Sequence, residues 1–175
     1  MRYHTRAVTV IFPLVVACAL FLMVGSVCGQ TSSGESKSAQ KFSASSIQIE
    51  PTDAGDVPVP AEFRMAVYEN LITQIEKTGK FQHVYRSGDK NAASASDLVT
   101  LHTTARTFNK GSQRKREVTT VTGSTSMTLN VHITDHAGQP IVDREVKGKV
   151  RFLGENLRAT YDFSKKVAKI VQETF

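Results

Sequence analysis

The chain has 175 residues, 40% of them hydrophobic and 22% charged, and a formal net charge of +6. This length and apolar content suit one ordinary domain with a short additional segment, and they exclude global disorder. The charge favours solubility and weak attraction to anionic surfaces, but it does not single out a nucleic-acid binder.

Met1 to Arg6 carry Arg2 and Arg6 and no acid, and Ala7 to Val27 contain no charged residue. The apolar run ends in Gly-Ser-Val-Cys28-Gly29 and gives way at once to the polar stretch QTSSGESKSAQK. A basic start, an apolar middle and small residues at the exit describe a secretory signal peptide over residues 1–29, with cleavage after Gly29. Two alternatives remain open. The run is long enough to span a bilayer, so residues 7–27 could anchor the chain in the inner membrane with its arginines inside. Cys28 could instead be lipidated, as it stands just before the polar stretch; Cys18 matches a lipobox letter by letter but is followed by more apolar sequence. Cleavage after Gly29 removes both cysteines and leaves no disulfide and no thiol-based metal or redox site.

Residues 30–46 are rich in Ser, Gln, Lys and Gly and read as a flexible polar linker. A single domain then occupies residues 47–175. Ser45 to Glu50 alternates around Ile47 and Ile49, which predicts a short strand. Pro51 to Pro60 is a loop. Pro60 sits where helices begin, and Phe63, Val67, Leu71 and Ile75 recur every fourth position, predicting an amphipathic helix over 61–78 that Gly79 ends. Phe81 to Tyr85 predicts a second strand, and Arg86 to Ser96 a loop.

Three longer strands follow. Leu98 to Phe108 alternates around Val99, Leu101, Thr103 and Ala105. Val118 to Thr134 places Met127, Leu129, Val131 and Ile133 on one face, with Thr128, Asn130, His132 and Thr134 on the other. Gly123 within it suggests a bulge. Ile141 to Phe152 turns Val142, Val146, Val150 and Phe152 inward, and Asp143, Glu145, Lys147, Lys149 and Arg151 outward. Such alternation marks an antiparallel sheet covered on one side. The segments NKGSQRKRE and Asp135 to Pro140 fit the hairpin connections. Leu157 to Phe175 predicts a last amphipathic helix with Phe163, Val167, Ile170 and Val171 on its stripe. The fold class is therefore α+β: a mostly antiparallel sheet in the order β-α-β-β-β-β-α, with both helices packed on one face.

The segments AVYENLITQIEKTGKFQHVY, MTLNVHITDHAGQPIVDREVKGKV and YDFSKKVAKIVQETF resemble the bacterial family called domain of unknown function 4410, over Ile47 to Phe175. The shared pattern is an early helix ending near Gly-Lys-Phe, strands joined by an Asp-x-x-Gly hairpin (here Asp135 to Gly138), and a closing helix. Related envelope domains occur in the curli-secretion lipoprotein and the Tol-system periplasmic protein. The resemblance implies a non-enzymatic binding or assembly role in the cell envelope, without naming a partner.

The residues themselves offer few sites. Lys110, Arg114, Lys115 and Arg116 form a basic hairpin tip that suits lipid headgroups or an acidic partner, although charged tips are ordinary solvated turns. His132 and His136 have a spacing used by zinc sites, but on a strand and its turn that spacing separates the side chains. Catalytic signatures are lacking: there is no G-x-S-x-G elbow, P-loop or dinucleotide fingerprint. The expectation is an exported protein of the periplasm or the periplasmic face of the outer membrane, not an enzyme, without cofactor or metal. Its partner would be an unknown envelope protein or a membrane surface and not nucleic acid, with the Thr119 to Thr128 strand suited to strand addition. The alternative is a small envelope hydrolase or metal-dependent enzyme built from Ser124, His102, His132 and Asp143.

Overall fold

The computed structural model describes residues 41–118, 123–150 and 155–175. The leader with Cys28 and Gly29, the apolar run 7–27, and linker residues 30–40 lie outside the described residues, as do residues 119–122, Arg151 and Phe152.

Strands β1 (Ser46–Ile49), β2 (His83–Arg86), β3 (Leu98–Asn109), β4 (Thr125–Thr134) and β5 (Pro140–Val150) form one sheet, and helices α1 (Ala61–Glu76) and α3 (Arg158–Thr174) follow β1 and β5 in the chain. The elements follow the expected chain order with two additions, a three-residue 3-10 turn (Ala92–Ser94) between β2 and β3 and a six-residue helix, α2 (Gln113–Val118), between β3 and β4. In space the strands lie in the order β2-β1-β3-β4-β5. The sheet is mixed: β1 runs parallel to both neighbours, while β3, β4 and β5 are antiparallel. The antiparallel ladders are the longer ones, so the sheet is mostly antiparallel by length but not by number of pairings. The cause is the β1-α1-β2 unit, a helical crossover that returns the second strand in the same direction.

The helical stripes behave as their spacing requires. Phe63, Val67, Leu71 and Ile75 of α1 are buried, as are Phe163, Val167 and Val171 of α3. All but Phe63 close over Ile47, Ile49, Leu101, Leu129, Val131 and Ile133, all without solvent exposure, while Phe63 packs with Val59, Ala105 and Phe108. Burying a side chain of this kind stabilises by about 1.5–3 kcal/mol, so this shared apolar face dominates the fold. Gln74, which lies off the apolar stripe of α1, is also buried.

Several boundaries differ from expectation. The strand expected from Val118 begins at Thr125: Val118 ends α2 and is 80% exposed. Gly123 stands ahead of β4 with φ of 88°, and its carbonyl accepts the Ser112 N–H, so it closes a neck and does not bulge a strand. The connection expected as a bare hairpin turn contains α2 because its first five residues, QRKRE, are good helix formers. The last linker residues belong to the domain. Phe42 donates its N–H to Thr174 O, and its ring lies 6.5 Å from Phe175, which in turn meets Phe81 edge-on.

Candidate functional site

The sheet face opposite the helices is where polar side chains gather. Along β4 the positions alternate between buried (Thr125, Met127, Leu129, Val131, Ile133) and half-buried (Ser126, Thr128, Asn130, His132, Thr134). The half-buried set points to the uncovered face, since strand side chains alternate between faces. Register then lines up His102, His132 and Asp143 directly across β3, β4 and β5. The two imidazoles are 6.5 Å apart and tilted by 40°. His132 Nδ1 lies 4.0 Å from Asp143 Oδ2, and Asn130 Nδ2 donates to Asp143 Oδ1 at 2.9 Å.

Of the four residues proposed for a hydrolase, three are therefore neighbours and Ser124 is not. It precedes β4, eight residues before His132, or roughly 26 Å along a strand. His136 lies in the turn after β4 and does not join the row. Among the described residues no three His, Cys, Asp or Glu side chains are placed to hold a metal ion.

At the other edge of the same face the loop after β2 folds over β1. It creates a hollow of about 490 Å³ lined by Ser46, His83, Tyr85, Asn91, Ser94 and Ser96, among others. His83 and Tyr85 are two residues apart on β2, so their rings share a face and stack at 5.7 Å with 19° between planes. The alternation of FQHVY carried this signal; the loop that completes the hollow carried none. On the helix side of β2, Arg86 donates to both Glu69 carboxylate oxygens at 2.6 and 2.7 Å, and its guanidinium lies 5.6 Å from the Tyr68 ring centroid. The Arg86 hydrogen bonds hold the Glu69 carboxyl below the ordinary carboxylate value, and the same bonds raise Arg86. This pair ties α1 to β2.

The basic residues are spread over two elements. Lys110 follows β3, while Arg114, Lys115 and Arg116 belong to α2, with Arg114 and Lys115 exposed. The Arg116 side chain lies outside the described residues. The Thr119 to Thr128 segment does not offer a free edge where it is described, because Thr125–Thr128 pair with β5 on one side and Ser126–Thr128 pair with β3 on the other. The two outer strands are β2 and β5. Among the described residues, no helix is long and apolar enough to cross a membrane.

No family model matches the chain, and no curated protein matches it. Solved structures do. PelC from Paraburkholderia phytofirmans, crystallised as a dodecamer, superposes with a TM-score of 0.58 at 9% identity, covering 78% of this chain and 92% of that one. A second crystal form, of a PelC variant, gives 0.56 at 9% identity, with 77% and 93% covered. A Xanthomonas campestris protein of the DUF330 family is less similar, with a TM-score of 0.47 at 12% identity over 74% of this chain and 84% of that one. At 9% identity the likeness to PelC is one of fold: this chain shares PelC's arrangement of strands and helices.

Proposed function

We propose that the protein is exported to the bacterial cell envelope and acts there as a non-enzymatic binding or assembly module, through the open face of its sheet. The observation that carries this reading is the half-buried polar row of β4, flanked by His102 and Asp143, on a face that both long helices leave uncovered. Such a face presents hydrogen-bonding groups on a rigid support, which suits recognition of a partner. The charged leader and apolar run support export. The resemblance to domain of unknown function 4410 supports an envelope role, and PelC's dodecameric state supports an assembly role for this fold. The basic residues Lys110, Arg114 and Lys115 would add weak attraction to anionic headgroups.

The test is co-purification of the full chain from native membranes, beside the variant T128R/H132E. Both positions are half-buried and alternate along β4 with the buried residues of the core face. The wild type is expected to recover a specific partner that the variant loses while keeping its fold. Recovery of the same partner by both, or of none by either, would refute the open face as the binding surface. Mass spectrometry of the mature N-terminus distinguishes cleavage after Gly29, lipidation at Cys28 and anchorage by residues 7–27.

A further inference from the structure

β5 is the last strand of the sheet, and its outer side faces no strand among the described residues. Exposed edges of this length pair readily with other strands unless something blocks them. Here the block is specific. Asp162 Oδ2 on α3 accepts the outward Lys149 N–H at 3.0 Å. Lys166 Nζ, one helical turn on, donates to the outward Lys147 carbonyl at 2.7 Å. The two side chains are also paired with each other at 2.7 Å. An acceptor and a donor thus sit on two alternate residues of the edge, where an adjoining strand would place its own carbonyl and N–H.

The edge beneath this pair has a self-complementary charge pattern. Lys147 and Lys149 point their backbone groups outward, so by alternation Asp143 and Glu145 do too. In an antiparallel pairing with β5 of a second copy, centred on Val146, Asp143 would face Lys149 of the other copy and Glu145 would face Lys147. The outward pairs between Asp143 and Lys149 would then all join opposite charges, which stabilises cross-strand neighbours. A shift by two residues in either direction sets Glu145 against Glu145 or Lys147 against Lys147. The charge pattern therefore selects one register. Each hydrogen-bonded pair of that register uses either residue 147 or residue 149, the two that α3 occupies.

We infer that Asp162 and Lys166 form a latch on a self-pairing edge: closed, it keeps β5 from joining β5 of a second copy, and open, it permits one antiparallel two-fold pairing centred on Val146. The partner is a second copy of this chain, because the charge pattern matches itself under a two-fold axis.

The test compares masses of the full chain in mild detergent by light scattering, with the detergent contribution subtracted and the fold checked by circular dichroism. D162A/K166A is expected to double its mass relative to wild type and to self-associate at least about tenfold more strongly. Adding K147E/K149E makes the edge uniformly acidic and is expected to return the wild-type mass. A folded D162A/K166A with the wild-type mass would overturn the inference, and so would a doubling that K147E/K149E leaves intact. If D162A/K166A does not fold, K166M carries the test, since it frees the Lys147 carbonyl through an exposed side chain. It is then expected to raise self-association in the same charge-sensitive way, and an unchanged mass would overturn the latch.

Discussion

Replacing Gly148 with alanine probes the contact that seats α3 on the sheet. Gly148 lies on the helix side of β5, opposite Met127 of β4. A methyl group built there would collide with the Ala159 carbonyl oxygen and would sit 2.6 Å from Phe163 Cβ and 3.1 Å from Phe163 N. Carbon atoms prefer about 3.5–4.0 Å, so α3 would have to lift by about 1 Å. The obstructing atoms are backbone and Cβ, which cannot rotate away as a flexible side-chain tip could. Lifting the helix opens gaps under Ala159, Phe163, Val167 and Val171, all with no solvent exposure. A gap of 0.5–1 Å forfeits about a quarter to a half of each contact's attraction. Overpacking costs typically about 1–3 kcal/mol, and this site belongs at the upper end, about 3 kcal/mol. For a domain of this size that lowers Tm by roughly 10 °C. Gly138 is the internal control: its φ is 79° with nothing within 4 Å of an added Cβ, so G138A meets only the left-handed backbone penalty of about 1–2 kcal/mol. Urea and thermal unfolding of both variants, followed by circular dichroism, provide the comparison. A G148A protein as stable as G138A or more so would refute the close seating of α3.

Three further outcomes follow from named contacts. Thr52 and Thr103 share a buried hydroxyl pair at 3.0 Å, so T103V leaves a hydroxyl unpaired and should cost about 1–3 kcal/mol, whereas T52V/T103V should lie close to wild type in urea unfolding. F163A should cost about 3–5 kcal/mol by the same measurement, because Phe163 is fully buried between α3 and the sheet. Glu69 has its folded pKa lowered by its hydrogen bonds to Arg86. Its contribution is therefore present above the unfolded value near 4.5 and is lost as pH falls through the lower folded value. The Tm gap between wild type and E69Q should accordingly be largest near neutral pH and close below pH 4.5; a gap that widens on acidification would contradict the pairing.

Which parts of this architecture were legible in the sequence depends on whether neighbours in the chain were enough to specify them. The alternation from Met127 to Ile133 and the four-residue spacing from Phe63 to Ile75 each follow from burial of one face, so period alone exposed them. The direction and place of β1 did not follow from its own residues. SIQI alternates equally well in a parallel or an antiparallel ladder, and its position between β2 and β3 is fixed by the α1 crossover and by the loop that carries the chain back across the sheet. The same limit applied to the open face. His132 and Asp143 could be assigned outward orientations one strand at a time, but their meeting with His102 needed the registers of two ladders, each containing an irregularity that shifts alignment by a residue. The latch was a still longer-range case. The i, i+4 spacing of Asp162 and Lys166 predicts an ordinary surface ion pair of a helix. Its role depends on α3 lying so close over Gly148 that the two side chains reach past the sheet edge to Lys147 and Lys149. G148A therefore tests two things at once: by lifting α3 it should weaken the grip on the β5 edge as well as the core, so any folded fraction of that variant should show the charge-sensitive self-association expected of D162A/K166A.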